Sequence, residues 1–263
     1  ASTQNHMPNA EYLFRHVSGI KCLCGGEEVT VPMDLLKRAI AKSNETIAAI
    51  NAFELNVFAM LGMRNLSAFM GEALVQAILH ESNGMFVKNP HQDGYPDLLA
   101  MTSKGKKAWE DLKNNLQEKK PFSPFPTGGI EMKATCGSVP TPQVFARRGL
   151  KKPDLGDSRI AFVTGYDWKS HHRETTNLIG MFWDFIDGVP TIAALFFCEK
   201  LSQDHWGKII HPRDGGGRTT SVSIMTRDGV KVMYEGWLAV LKDKRYVDFF
   251  NRRNKGELIV LPS

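Results

Sequence analysis

Gly94-Tyr95-Pro96-Asp97-Leu98-Leu99 and Gly129-Ile130-Glu131-Met132-Lys133-Ala134-Thr135 are the two stretches whose reading decides the fold. Each reads as a short strand in which acidic residues stand among apolar ones. Side chains alternate along a strand, so Glu131 and Lys133 share one face and Met132 takes the other. On adjacent strands, Asp97 and Glu131 can hold a hard divalent cation between them. The backbone carbonyl of Met132 lies between Glu131 and Lys133 and can complete that oxygen set. Lys133 then stands beside the cation, where an ammonium offsets negative charge or prepares a water.

Working outward, the preceding region reads as helical. Residues 33–50 place Leu35, Leu36, Ala39, Ile40, Ile47 and Ile50 at helical spacing, and 53–63 continue in that style. A third helix is expected over 65–81, capped by Ser67 and ended by Ser82-Asn83-Gly84. After Gly84 the period changes to that of strands, at 85–88 and 96–101. A charged helical insertion at 104–120 then precedes the Glu131 strand. Beyond it, strands are expected at 159–168, 178–186, 191–201, 221–225, 230–234 and 258–261, with a helix over 234–252. Asp187-Gly188 and Arg227-Asp228-Gly229 mark two hairpins.

Pro96-Asp97 followed by Glu131-Met132-Lys133 resembles the signature of the PD-(D/E)xK nuclease superfamily, to which most type II restriction endonucleases belong. The resemblance covers about residues 65–135. It departs in the Asp97–Glu131 span, which is longer than the usual hairpin and holds the 104–120 insertion. It implies an α/β fold with a restriction-endonuclease-like mixed central sheet flanked by helices, an N-terminal helical region and extra C-terminal β-hairpins. A single nuclease domain over 7–263 is expected, with a helical part at 33–82, a catalytic core at 67–200 and a DNA-recognition part at 201–263.

The implied activity is Mg²⁺-dependent cleavage of double-stranded DNA at a short site by a homodimer, leaving 5′-phosphate and 3′-hydroxyl ends. Asp97 and Glu131 would hold one or two Mg²⁺ ions. A helical acid often joins them in such families: Glu72 is the candidate and Glu81 the fallback. A repair or junction-resolving nuclease, a non-catalytic DNA-binding protein and an unrelated metabolic enzyme are the alternatives. A rival constellation pairs Pro153-Asp154 with Asp167-Trp168-Lys169, although no helix and strand lead into it.

Candidate DNA contacts are Lys169, His171, His172, Arg173 and Asn177 in one polar connection, Arg213 and Arg218 in a glycine-hinged loop, and the basic residues Arg147 and Arg148. The 263 residues carry 33 Lys and Arg against 28 Asp and Glu, an excess compatible with a phosphate-backbone partner but common among enzymes. No apolar run reaches membrane-spanning length. Four cysteines without framework spacing favour a reducing cytoplasm. Cys22-x-Cys24 is at most half a zinc site, because no second ligand pair follows at a suitable spacing. Ala1 to His6 reads as a vector remnant ahead of Met7.

Overall fold

The structure is a computed structural model, and it describes residues 10–216, 219–254 and 256–263. Ala1 to His6, Met7 and Arg218 lie outside the described residues. In chain order the strands and helices are β1 (Tyr12–Phe14), β2 (Gly19–Cys24), β3 (Glu27–Pro32), α1 (Met33–Ile50), α2 (Val57–Ser82), β4 (Phe86–Lys88), β5 (Leu98–Ala100), α3 (Ser103–Leu112), β6 (Gly129–Thr135), α4 (Pro142–Arg147), β7 (Lys169–Ser170), β8 (Leu178–Ile186), β9 (Val189–Cys198), β10 (Trp206–Ile210), β11 (Val222–Met225), α5 (Arg227–Glu235), β12 (Trp237–Leu241) and α6 (Lys244–Arg253).

The centre is a mixed seven-stranded sheet in the order β1-β12-β9-β8-β6-β5-β4. Within it β6 and β8 run parallel, while the other neighbours are antiparallel. Helices α1 and α2 cover one face, where Leu36, Ile40, Leu74 and Ile78 meet Ile130, Met132, Ile179 and Met181. Helices α5 and α6 cover the other face around Phe182, Phe196, Phe249 and Phe250. Burial on both faces explains why β8 and β9 read as unbroken apolar runs rather than alternating ones. Their hairpin closes at Asp187 (φ 49°) and Gly188 (φ 80°), two consecutive left-handed residues of the kind a two-residue turn needs. No helix among the described residues is long and apolar enough to cross a membrane.

Four expectations are corrected. Residues 12–32, read as part of a helical third, form β1 and the β2–β3 hairpin; Cys22 and Cys24 point into the core under α1 with their sulfurs 3.8 Å apart. The third helix does not start at Ser67. Helix α2 is capped by Asn56, whose Oδ1 accepts the Ala59 N–H at 2.9 Å, and it breaks only at Gly62 (φ 68°, ψ 165°). Ser67 lies inside, accepting the Trp183 indole N–H at 2.9 Å. Residues 159–168 carry a single 3₁₀ turn at Ile160–Phe162 rather than a strand.

The fourth correction concerns the C-terminal region. The Arg227-Asp228-Gly229 hairpin and the 230–234 strand are together helix α5, because the Thr226 hydroxyl accepts the Gly229 N–H at 3.2 Å and caps it. The expected 234–252 helix is split by strand β12, and 258–261 is not a strand. Of the extra hairpins, β10–β11 exists and joins β7 in a separate three-stranded sheet.

Candidate active site

The site forms where β5 and β6 part. Leu98 pairs with Ile130 and Leu99 with Gly129, and the Ala100 N–H donates to the Gly128 carbonyl. Continuing this register puts Pro96 opposite Met132, at a position where antiparallel partners exchange hydrogen bonds. Pro96 has no N–H to offer, and its own carbonyl accepts from the Asn89 amide at 3.0 Å. The ladder therefore ends. The Met132 N–H turns instead to Asp97 Oδ2 at 2.8 Å, and the Asp97 N–H donates to Glu131 Oε2 at 3.1 Å. On the opposite edge of β6, the Glu131 N–H stays paired with the Asn177 carbonyl at 3.0 Å. Because N–H and C=O of one strand residue point the same way, the Met132 carbonyl projects toward Asp97, with no ladder donor across from it.

Alternation along the strands puts Asp97, Glu131 and Lys133 on the sheet face turned away from α2, since their neighbours Leu98, Ile130 and Met132 pack beneath that helix. Lys133 Nζ lies 2.6 Å from Glu131 Oε1, so the two oxygens of a nearly buried carboxylate are divided between an ammonium and a backbone N–H. Burial, reinforced by the charge of Glu131, raises the Asp97 carboxyl from 3.8 to about 7. Burial pulls the Lys133 ammonium down, but attraction by Glu131 and Asp97 more than offsets it and the net shift is upward. Without a metal the site thus holds a protonatable aspartate beside a firmly charged lysine.

Helix α2 meets β6 at Gly71, where an added methyl would sit 3.7 Å from both Met132 and Ala134. This close approach brings Glu72 to the rim. A cavity of about 690 Å³ there is lined by Glu72, Asp97, Met132 and Lys133, and from the other side by Lys169 and His171. A second groove adjoins it, sharing Ser67, Ala134 and Lys169 and reaching Arg64, Asp167 and Thr220. The floor is thus β6, with one wall from α2 and the other from the β7–β11 ribbon.

Asp97, Glu131, Lys133, Met132, Glu72, Lys169 and His171 are therefore brought to one place. The other candidates fare differently. Glu81 is engaged by Arg38 at 2.9 Å. The His172 ring packs against Tyr95 at 5.5 Å, and Arg173 is tied to the carbonyls of Gln203 and Trp206. Asn177 is buried and donates to the carbonyls of Leu23 and Gly129, so its amide braces β6 rather than facing a groove. Arg147, Arg148 and Arg213 are exposed and line neither groove. In the rival constellation Asp167 and Lys169 line the second groove, but Asp154 does not; it pairs with Lys151 at 2.5 Å.

Two residues escaped the sequence reading. Lys88, at the end of β4, lines the main cavity and contacts Glu72 at 2.5 Å. Asn89, almost fully buried, clamps the Asp97 turn by donating to the carbonyls of Pro96 and Phe122. Neither carried a sequence signal of its own, since Lys88 is a single lysine closing a three-residue strand.

The donor set fits a hard cation. Two carboxylate groups and a carbonyl without a ladder partner are all oxygen ligands, and Mg²⁺ is typically held by one or two carboxylates with several waters retained. Among the described residues no group of three or more His, Cys, Asp or Glu is placed together to hold a metal, so Glu72, at the cavity rim, is not grouped with Asp97 and Glu131 as a third ligand. Scans against protein-family models, curated proteins and solved structures each returned no match.

Proposed function

We propose that this protein is a Mg²⁺-dependent endodeoxyribonuclease of the PD-(D/E)xK type, cutting double-stranded DNA at a short site as a homodimeric type II restriction endonuclease. The observation that carries the reading is the convergence of Asp97, Glu131 and Lys133 on one face at the parting of β5 and β6. Asp97, Glu131 and the Met132 carbonyl would hold the cation. When bound, it supplies Lewis-acid charge at the scissile phosphate and makes the attacking water more acidic.

The chain's own residues supply the remainder. The Lys133 ammonium orients the water and offsets charge accumulating on the phosphorane oxygens. Lys169 and His171, which line the cavity opposite α2, would hold the DNA backbone against β6. Attack in line with the departing 3′ oxygen leaves a 5′-phosphate.

The test is incubation with phage λ DNA in Mg²⁺ or EDTA, beside Lys133→Ala and Asp97→Asn. Discrete fragments that require Mg²⁺ and disappear in both variants are expected. Cleavage confined to branched or mismatched duplexes would reassign the protein to repair or junction resolution. DNA binding without any cleavage would leave only a binding role.

A further inference from the structure

Lys88 and Glu72 form an ion pair inside the cavity that the proposed reaction uses. Lys88 stands opposite Leu98 on β4, one pairing position from Asp97, and shares the α2 face with buried Phe86. Its backbone is fixed by the next residue: the Asn89 N–H donates to the Asp97 carbonyl at 2.9 Å, and the Asn89 amide to Pro96 and Phe122. Glu72 is also fixed, because Gln76 Nε2 donates to its Oε1 at 2.9 Å while Lys88 takes Oε2. Both members of the pair are still partly open to solvent, with 34% and 47% of their side-chain surface exposed.

An ion pair of that exposure contributes little net stability, so a stronger partner for either member displaces the other. Glu72, Lys88, Asp97 and Lys169 all line this cavity. A cation held at Asp97 would attract the Glu72 carboxylate across it, and a phosphate entering from the Lys169 side would meet the ammonium so released.

We infer that Lys88 is a phosphate-binding residue of this site, held by Glu72 until a DNA backbone phosphate and a divalent cation separate the pair. The inference rests on the nuclease reading above. It assigns Lys88 to substrate positioning, and it makes metal and DNA binding mutually reinforcing, since each ligand frees the group that the other needs.

The experiment measures binding of a short DNA duplex as a function of KCl, with Ca²⁺ in place of Mg²⁺ to hold back cleavage, for the native protein, Lys88→Met and Lys88→Arg. Lys88→Met is expected to weaken binding about three- to tenfold on every sequence and to flatten the log–log salt slope by about one contact. Lys88→Arg should restore the slope. Glu72→Gln, which loosens Lys88, should tighten binding without divalent cation and shrink the enhancement that Ca²⁺ gives. Thermal unfolding of each variant keeps a folding defect from being taken for a lost contact. A native slope in folded Lys88→Met, with the native protein binding DNA normally, would overturn the inference and leave the nuclease reading standing. Failure of the native protein itself to bind or cut any duplex would overturn both.

Discussion

Met132 and Asp97 are joined main chain to side chain across 2.8 Å, at the point in the register where Met132 should have met the backbone of Pro96. The proline ends the ladder and the aspartate takes over its hydrogen bond, so one dipeptide both opens the strands and sets a carboxylate where they part. Asp97 Oδ2 is the oxygen that the Met132 N–H engages.

A pH dependence follows from the Asp97 shift. Its carboxyl is raised from 3.8 to about 7, chiefly by burial. Between about pH 4 and 7 the folded protein keeps a proton that the unfolded chain has lost, so metal-free stability falls as pH rises through this window and levels off above it. The effect amounts to roughly 4 kcal/mol at most. Metal-free Asp97→Asn should therefore melt a few degrees above the native protein at pH 8 and level with it near pH 4. Mg²⁺ binding near neutrality should release protons from the native protein only, as calorimetry in buffers of different ionisation enthalpy would read. Equal melting temperatures at pH 8 would contradict the shift.

Lys133→Ala should destabilise the protein as well as inactivate it. Glu131 is nearly buried and the Lys133 ammonium is its charge partner at 2.6 Å. Removing one member leaves an uncompensated buried carboxylate, at a cost of about 3–5 kcal/mol in fully buried cases and somewhat less here, where Lys133 is partly open. Glu131→Gln combined with Lys133→Ala should recover much of the loss while staying inactive. Urea unfolding of the two singles and the double would measure the coupling. Strictly additive losses would show that the pair is not acting as a unit.

Asn177→Ala should behave as a structural variant. Its amide bridges the carbonyls of Leu23 and Gly129 from a buried position, and leaving such groups unpaired costs about 1–3 kcal/mol. A lower melting temperature with unchanged DNA affinity per folded molecule is expected. A relaxed base preference in a fully stable Asn177→Ala would instead put the residue back in the groove.

The central site was legible because its chemistry is local. The i, i+2 spacing of Glu131 and Lys133 fixes their common face whatever surrounds them. The β8–β9 hairpin was legible for a similar reason, since Asp187-Gly188 suits a two-residue turn. Short apolar runs without such punctuation were not. Val230 to Tyr234 has a strand-like look that the Thr226 cap overrides, and Trp237 to Leu241 is a strand whose partner, the Phe196 and Leu195 edge of β9, lies about forty residues away in the chain. Lys88 was invisible because one lysine in a three-residue strand carries no pattern; its meaning depends on Glu72, which the fold brings to it from 16 residues away.

The stretch between Asp97 and Glu131 looked like an interruption of the site. In the fold it is a brace. Phe122 and Phe125, with Leu99, form their own small core, the Phe122 carbonyl takes the Asn89 amide, and the Phe125 N–H reaches the Tyr95 carbonyl at 3.0 Å. Trimming the chain to a tight turn would restore the commoner spacing and remove the masonry behind Asp97. In this protein the distance along the chain between the two acids is a measure of how the first is propped, and a shorter path would give a looser hinge in place of a fixed jaw.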